Sequence, residues 1–317
     1  MKKELRIVFM GTPDFAVETL KHIIDNQYKI VGVITAPDRP AGRGRKLQQS
    51  AVKKFALEND LTVLQPTNLK DEGFLKELKE LNANLQVVVA FRMLPKVVWG
   101  MPEYGTFNLH ASLLPDYRGA APINWAIING EKKTGTTTFF IDEKIDTGAI
   151  ILQEETPIDD DETAGDLHDQ LMTSGAALVI KTLQQIESGT IETQLQPQSA
   201  ELKTAYKLNK ENTRIDWNSP TETIYNLIRG LSPYPTAWSL LKNGTQDPIN
   251  VKIYEVEKDI QSHNDVPGTI SVEKNVVYIA TKDGYITLKE IQLPGKRKMI
   301  IKDILNGYTF EKNAKML

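Results

Sequence analysis

Four short apolar runs, residues 5–10, 30–35, 61–64 and 85–90, constrain the fold of this chain more than any other feature. Each is the length of a strand and reads as continuous rather than alternating hydrophobicity. Between them lie segments with helical spacing: Phe15, Ala16, Leu20, Ile23 and Ile24; then 51–58; then Phe74, Leu75, Leu78 and Leu81. Continuous apolar strands separated by amphipathic helices predict a mostly parallel sheet covered on both faces, an α/β Rossmann-like arrangement. Further strands are expected at 134–141 and 149–152, and a long helix at 163–186. Gly11-Thr12-Pro13 follows the first strand without a G-x-G-x-x-G pattern. It predicts a tight strand-to-helix turn rather than a pyrophosphate cradle, and argues against a dinucleotide oxidoreductase.

Open sheets of this kind bind ligands beyond the carboxyl ends of their strands. At such an end lies Phe107-Asn108-Leu109-His110-Ala111-Ser112-Leu113-Leu114-Pro115. Asn108 and His110 are two residues apart on a strand and so share a face. An amide donor beside a group that titrates near neutrality suits chemistry at a carbonyl. Pro115 cannot serve a central ladder, so the strand must open into a loop beside its own polar residues. A second candidate, Asp142-Glu143-Lys144-Ile145-Asp146-Thr147-Gly148, joins two strand-like runs. Taken alone, Asp146 reads as a turn residue. Meeting His110, its carboxylate would fix the imidazole's tautomer and favour the charged ring.

The chain has 317 residues, enough for two domains. It has no cysteine, and its four histidines show no ligand-type spacing, which excludes disulfides and thiolate chemistry and predicts no metal site. The first apolar run ends at Met10, too short for a signal core or a membrane span. A cytoplasmic protein with no membrane partner, acting as a monomer, is expected. The polar, aperiodic stretch 189–207 reads as a linker between a first domain over 1–188 and a second over 208–317. The second domain has a helix pattern at 222–229, then short strand-like runs at 237–241, 250–256, 268–272, 276–280 and 285–291. Such runs predict a small β-barrel, with Trp217 and Trp238 in its core. Net charge is −3, yet residues 208–317 hold 15 Lys+Arg against 13 Asp+Glu. Two segments are steeper: 38–54, with Arg39, Arg43, Arg45, Lys46, Lys53 and Lys54, and 296–302, with Lys296, Arg297, Lys298 and Lys302. Either could be solvated surface or a phosphate-binding patch.

The order of these motifs resembles the formyltransferase family that uses 10-formyltetrahydrofolate. The likeness runs from Ile7-Val8-Phe9-Met10-Gly11-Thr12-Pro13-Asp14-Phe15 through Pro37-Asp38-Arg39-Pro40, Asn108-x-His110, Ser112-Leu113-Leu114-Pro115 and Arg118-Gly119-Ala120-Ala121-Pro122-Ile123. It continues through the Asp142 to Gly148 stretch and Arg214-Ile215-Asp216-Trp217 to Pro294-Gly295-Lys296. The resemblance implies that Asn108, His110 and Asp146 are catalytic, and that Ser112, Leu113, Leu114, Pro115, Phe91 and Asp142 border the folate. It implies a C-terminal barrel of the OB type and 10-formyltetrahydrofolate as the donor, with no metal. One departure falls at Ala90-Phe91-Arg92-Met93-Leu94-Pro95, which lacks a Tyr-Gly pair carried by many relatives and is one residue shorter. In members of the family acting on tRNA, an insert like Gly42-Arg43-Gly44-Arg45-Lys46 reaches the acceptor stem. The resemblance therefore implies initiator methionyl-tRNA as partner, held by Arg43, Arg45, Lys46, Lys296, Arg297 and Lys298. An amino-sugar nucleotide acceptor, or a non-catalytic RNA-binding role, are the alternatives.

Overall fold

The structure, a computed structural model, describes residues 2–41, 46–197 and 201–317. Two compact units emerge. The first comprises Met1–Gly119, Lys133–Pro157 and His168–Thr204; the second Ala120–Lys132, Ile158–Leu167 and Ala205–Leu317.

In the first unit, seven strands form one sheet in the order Ile150–Pro157, Lys133–Phe140, Thr106–His110, Leu85–Val89, Arg6–Gly11, Lys29–Ile34, Val63–Leu64. The last five are mutually parallel, and the two at the other edge are antiparallel. Ile7, Val8, Phe9 and Met10 are all fully buried, as a strand covered on both faces requires. Arg6–Gly11 lies between the Lys29–Ile34 and Leu85–Val89 strands, so the chain order reverses there. Crevices open at such a switch point, at the carboxyl ends of the strands. The turn after Gly11 is tight, as expected. A Cβ on Gly11 would sit 2.5 Å from the Ala16 Cβ and 3.0 Å from the Val89 carbonyl oxygen, so only glycine lets the Asp14–Asp25 helix approach so closely.

The last strand, expected to end near Leu152, runs to Pro157. Its extension, Gln153-Glu154-Glu155-Thr156, is polar because it lies on the sheet edge with one solvated face, and so carries no continuous apolar run. A small hairpin was not foreseen: Arg39–Ala41 pairs with Lys46–Gln48. Neither strand has a β-branched residue that would announce it. Asp38 anchors its base, accepting from Lys53 Nζ at 2.6 Å and Gln65 Nε2 at 2.9 Å. Those hydrogen bonds, Gln65 first, hold the Asp38 carboxyl below its ordinary pKa. The following Ala51–Glu58 helix is capped by Ser50, whose Oγ accepts the Lys53 N–H at 3.0 Å, worth about 1 kcal/mol.

The second unit is a nearly closed antiparallel barrel. Its strands run in the order Ile270–Glu273, Val276–Ala280, Gly284–Gln292, Ile249–Ile260, Ala237–Lys242, Lys315–Met316. A bridge between Thr269 and Lys315 brings the two edges together. The barrel packs around Trp217, Leu241, Val251, Ile253, Ile279, Ile286 and Leu288, with Ile224, Ile228 and Leu231 of the Thr221–Leu231 helix. Trp217 satisfies its buried indole on Ser239 Oγ at 2.9 Å. Trp238 departs from expectation. It is half-exposed, its Nε1 donates to the Lys210 carbonyl at 2.9 Å, and Lys210 and Arg214 lie over its ring. Its strand alternates, so Trp238 falls on the opposite face from buried Ala237 and Ser239. The Pro122–Ile128 helix also belongs to this unit: Asn124 donates to the Gly230 carbonyl at 2.8 Å, where a Cβ would meet Ile128 at 2.7 Å.

No helix among the described residues is long and apolar enough to cross a membrane.

Candidate active site

The Thr106–His110 strand pairs with Leu85–Val89 on one side and Lys133–Phe140 on the other, with Asn108 opposite Phe139 and His110 opposite Thr137. Phe107 and Leu109, pointing the other way, are buried. Leu109 lies against Gly175 of the Ala164–Ser188 helix, where a Cβ would come within 3.0 Å. That packing fixes the face on which Asn108 and His110 stand.

His110 is 6% exposed. Its Nε2 is 2.8 Å from the Tyr117 carbonyl oxygen, and a carbonyl can only accept. Nε2 therefore carries the proton, and Nδ1 is the nitrogen left to gain or lose one. Nδ1 faces Asp146 Oδ2 at 3.9 Å. This separation exceeds a hydrogen bond. The ring packs edge-on to Phe139, with centroids 6.4 Å apart. The tautomer is thus set by a backbone carbonyl rather than by Asp146, contrary to the role the sequence suggested for the carboxylate. Asp146 holds the opposite flank, its Oδ2 accepting the Gly119 N–H at 2.9 Å.

Asn108 is half-buried, and its Oδ1 is buried without a hydrogen-bond partner among the described residues. Leaving such a group unpaired costs about 1–3 kcal/mol, which a purely structural asparagine would avoid. Its position beside His110 on the same strand face makes the amide available to a ligand.

The loop after the strand is held from below. Thr137 Oγ1 donates to the Ser112 carbonyl at 2.6 Å and accepts the Leu114 N–H at 3.2 Å. Gln153 Nε2 donates to the Leu114 carbonyl at 2.9 Å. Ser112 is fully buried and turns its hydroxyl onto the Asp116 carbonyl at 2.7 Å; Leu114 is buried against Phe139 and Ile150. Leu113 and Pro115 are half-buried. Ser112 and Leu114 therefore shape this wall from inside, while Leu113 and Pro115 have surface to offer. Asp142 is exposed and occupied with its own loop, accepting from Thr147 Oγ1 at 2.7 Å and from the Lys144 N–H at 3.0 Å. Lys96 reaches this loop through Glu143 at 2.7 Å, a hydrogen bond that lowers the Glu143 carboxyl pKa. At the departure noted above, Phe91 is half-buried and Arg92 lies 5.6 Å from its ring centre. Arg92 also donates to the carbonyls of Pro66 and, at 2.9 Å, Thr67. Burial, with Arg39 nearby, pulls the Arg92 guanidinium pKa down.

Of the catalytic set suggested by sequence, Asn108 and His110 share one face of the Thr106–His110 strand and Asp146 Oδ2 lies 3.9 Å from His110 Nδ1. Arg43 and Arg45 lie outside the described residues, and Lys46 enters only through its backbone pairing with Ala41. Lys296, Arg297 and Lys298 are exposed on a turn of the barrel. Lys298 is engaged by Glu290 at 2.6 Å. Sequence reasoning missed three groups that bond His110 or Asp146: the Tyr117 carbonyl, the Gly119 N–H and the side chain of Gln196.

Residues 5–183 match the formyl transferase family, and 207–309 match its C-terminal domain. The chain belongs to the formyl transferase family. A methionyl-tRNA formyltransferase of Flavobacterium johnsoniae is 60% identical over 314 residues, covering 99% of both chains. One of Bacteroides thetaiotaomicron is 51% identical over 321 residues, covering both chains fully. Among solved structures, an N-formyltransferase from Helicobacter canadensis, in complex with folinic acid and dTDP-3-aminofucose, superposes with a TM-score of 0.64 at 23% identity, covering 90% of this chain and 98% of that one. At that identity the likeness shows the formyl transferase fold alone.

Proposed function

We propose that this formyl transferase moves the formyl group of 10-formyltetrahydrofolate onto the α-amino group of initiator methionyl-tRNA, in the cytoplasm. The observation that carries this reading is end-to-end similarity, at 51–60% identity, to enzymes named for that reaction. Structures of sugar formyltransferases resemble this chain at 20–23% identity, where the likeness shows the fold and not the acceptor.

In the reaction, the lone pair of the α-amino nitrogen forms a bond to the formyl carbon, and the carbonyl electrons move onto oxygen. Asn108, turned with its Nδ2 toward the substrate, donates to that developing oxyanion. The proton lost by the amine passes by way of His110 Nδ1, the only ring nitrogen free to carry it, and the adjacent Asp146 carboxylate steadies the charged ring. Collapse breaks the bond to N10 of the folate, which takes up the proton. Leu113, Pro115 and Phe91 offer apolar surface for the folate ring system, and Ser112, Leu114 and Asp142 shape the loops around it. A catalytic domain over 1–188, a connecting segment 189–207 and a barrel over 208–317 are the working division. The chain is taken to act as a monomer.

A transfer assay with labelled 10-formyltetrahydrofolate, offering methionyl-tRNA and an amino-sugar nucleotide in parallel, tests the reading. Label is expected on the methionyl ester; label on the sugar alone would reverse the assignment. We also assign tRNA contact to Arg43, Arg45, Lys46, Lys296, Arg297 and Lys298. Arginine forks suit phosphate and stack on bases, and such contacts are salt-sensitive. Arg43→Ala is expected to lower kcat/KM for methionyl-tRNA about 10- to 100-fold, as loss of one charge-assisted contact of about 1.5–3 kcal/mol implies. The KM for the folate should not change. Unaltered use of tRNA by the Arg43→Ala enzyme would remove the insert from the interface.

A further inference from the structure

The polar segment expected to be a mere linker makes hydrogen bonds into the catalytic loops. Gln194 exchanges two backbone hydrogen bonds with Ile150, at 2.8 and 2.9 Å. Gln196, half-buried, donates Nε2 to the carbonyls of Asp146 at 3.0 Å and Gly148 at 2.8 Å. Its Oε1 accepts from Arg118 Nε at 3.1 Å and a terminal guanidinium nitrogen at 2.6 Å. The peptide after Arg118 supplies the Gly119 N–H, which holds the Asp146 carboxylate at 2.9 Å. Side chain, backbone and carboxylate thus form a closed ring: Gln196 to Asp146 main chain, Asp146 side chain to Gly119, Gly119 to Arg118, Arg118 back to Gln196.

Asp146 needs such support. Its φ of +54° lies in the left-handed region, which a non-glycine residue holds only when its surroundings determine it. The rest of its loop is exposed over 142–145, and its internal bonds join Asp142 to Thr147 and to the Lys144 N–H, leaving the Asp146 carbonyl to Gln196. Water could satisfy the two carbonyls if Gln196 were only a hydrogen-bond partner. What water cannot supply is a fixed distance from that loop to Arg118.

We propose that Gln196 is a positioning residue for formyl transfer, which fixes the backbone bearing Asp146 against the Arg118-Gly119 turn and so sets the carboxylate opposite His110. This rests on the reading of His110 and Asp146 as catalytic. Lys203 braces the other side of the pair. Its carbonyl accepts the Tyr117 N–H at 2.7 Å, and its N–H donates to Asp116 Oδ1 at 3.1 Å. The connecting segment therefore supports both the carboxylate and the carbonyl that orients the imidazole.

Two variants separate the arms of Gln196. Gln196→Met keeps the length and loses every hydrogen bond. Gln196→Glu keeps an acceptor for Arg118 and loses both donors to the loop. Both are expected to lower kcat about tenfold, with KM for folate and for tRNA within about twofold, because misplacement by a fraction of an ångström acts on the reacting geometry rather than on binding. Deuterium uptake by the 142–148 loop should quicken in both variants, with the melting temperature within about 2 °C of the parent. A Gln196→Met enzyme with kcat within twofold of the parent, or with its loss confined to KM, would overturn the proposal. Unchanged exchange of the loop would overturn it too, whichever acceptor the enzyme proves to use.

Discussion

Replacement of His110 by alanine is expected to lower kcat by about 10³- to 10⁴-fold, with the KM values for folate and acceptor within about twofold. The ring is buried, and among the described residues its one directional bond runs from Nε2 to the Tyr117 carbonyl. That bond leaves Nδ1 for the proton that the proposed transfer takes from the amine, on the side where Asp146 Oδ2 lies 3.9 Å away. Alanine removes the proposed proton carrier and, with it, the ring that Asp146 faces. Losses within one constellation do not add. Asp146→Asn and the double variant His110→Ala with Asp146→Asn should therefore fall to nearly the same floor, where Asn108 still offers its amide. Steady-state kinetics with saturating folate and a melting curve on each variant make the check. A His110→Ala enzyme that retained kcat within tenfold of the parent, properly folded, would show that proton transfer runs through another group.

How much of this was legible beforehand follows from what each residue has to do. The parallel strands announced themselves because burial on both faces demands uninterrupted apolar runs, as at Ile7 to Met10. The edge strand beyond Leu152 did not, since one of its faces meets water and its residues alternate. Asn108 and His110 were legible from their spacing alone, because a strand returns to the same face every second residue. Asp146 became legible only in the company of Thr147 and Gly148 and the resemblance they carried. The partners that decide how these side chains act were invisible for a different reason. The Tyr117 carbonyl and the Gly119 N–H are backbone groups, present at every position, and only the fold selects them. Gln196 had a side chain to notice, yet it stands in a polar, aperiodic stretch where a glutamine at the surface is unremarkable. Trp238 misled in the opposite sense, since a large aromatic is read as core while its strand register turns it outward.

Gly148→Ala is expected to lower kcat about 100-fold, although no atom of Gly148 need touch substrate. A Cβ at this position would lie 1.6 Å from the Phe140 carbonyl oxygen and 2.8 Å from its carbon. Both obstacles are backbone, and that backbone is pinned, since the Phe140 N–H donates to the Ala149 carbonyl at 3.0 Å in the hairpin that closes the loop. No rotamer can relieve the contact, so the chain around 148 must move by more than an ångström. Asp146 is two residues away, and the Gly148 carbonyl is one of the two that Gln196 holds. The displacement therefore passes directly to the carboxylate opposite His110. A shift of about 1 Å in a reacting group is worth about two orders of magnitude in rate. The forced repacking should also destabilise the first unit by about 1–3 kcal/mol, seen as a fall of several degrees in melting temperature. Gly307→Ala is the control, because a Cβ there meets nothing within 4 Å, and it should leave both rate and melting unchanged. If Gly148→Ala kept kcat within threefold of the parent while melting earlier, the placement of Asp146 would not depend on this turn, and the carboxylate would have to be held by the Gly119 N–H alone.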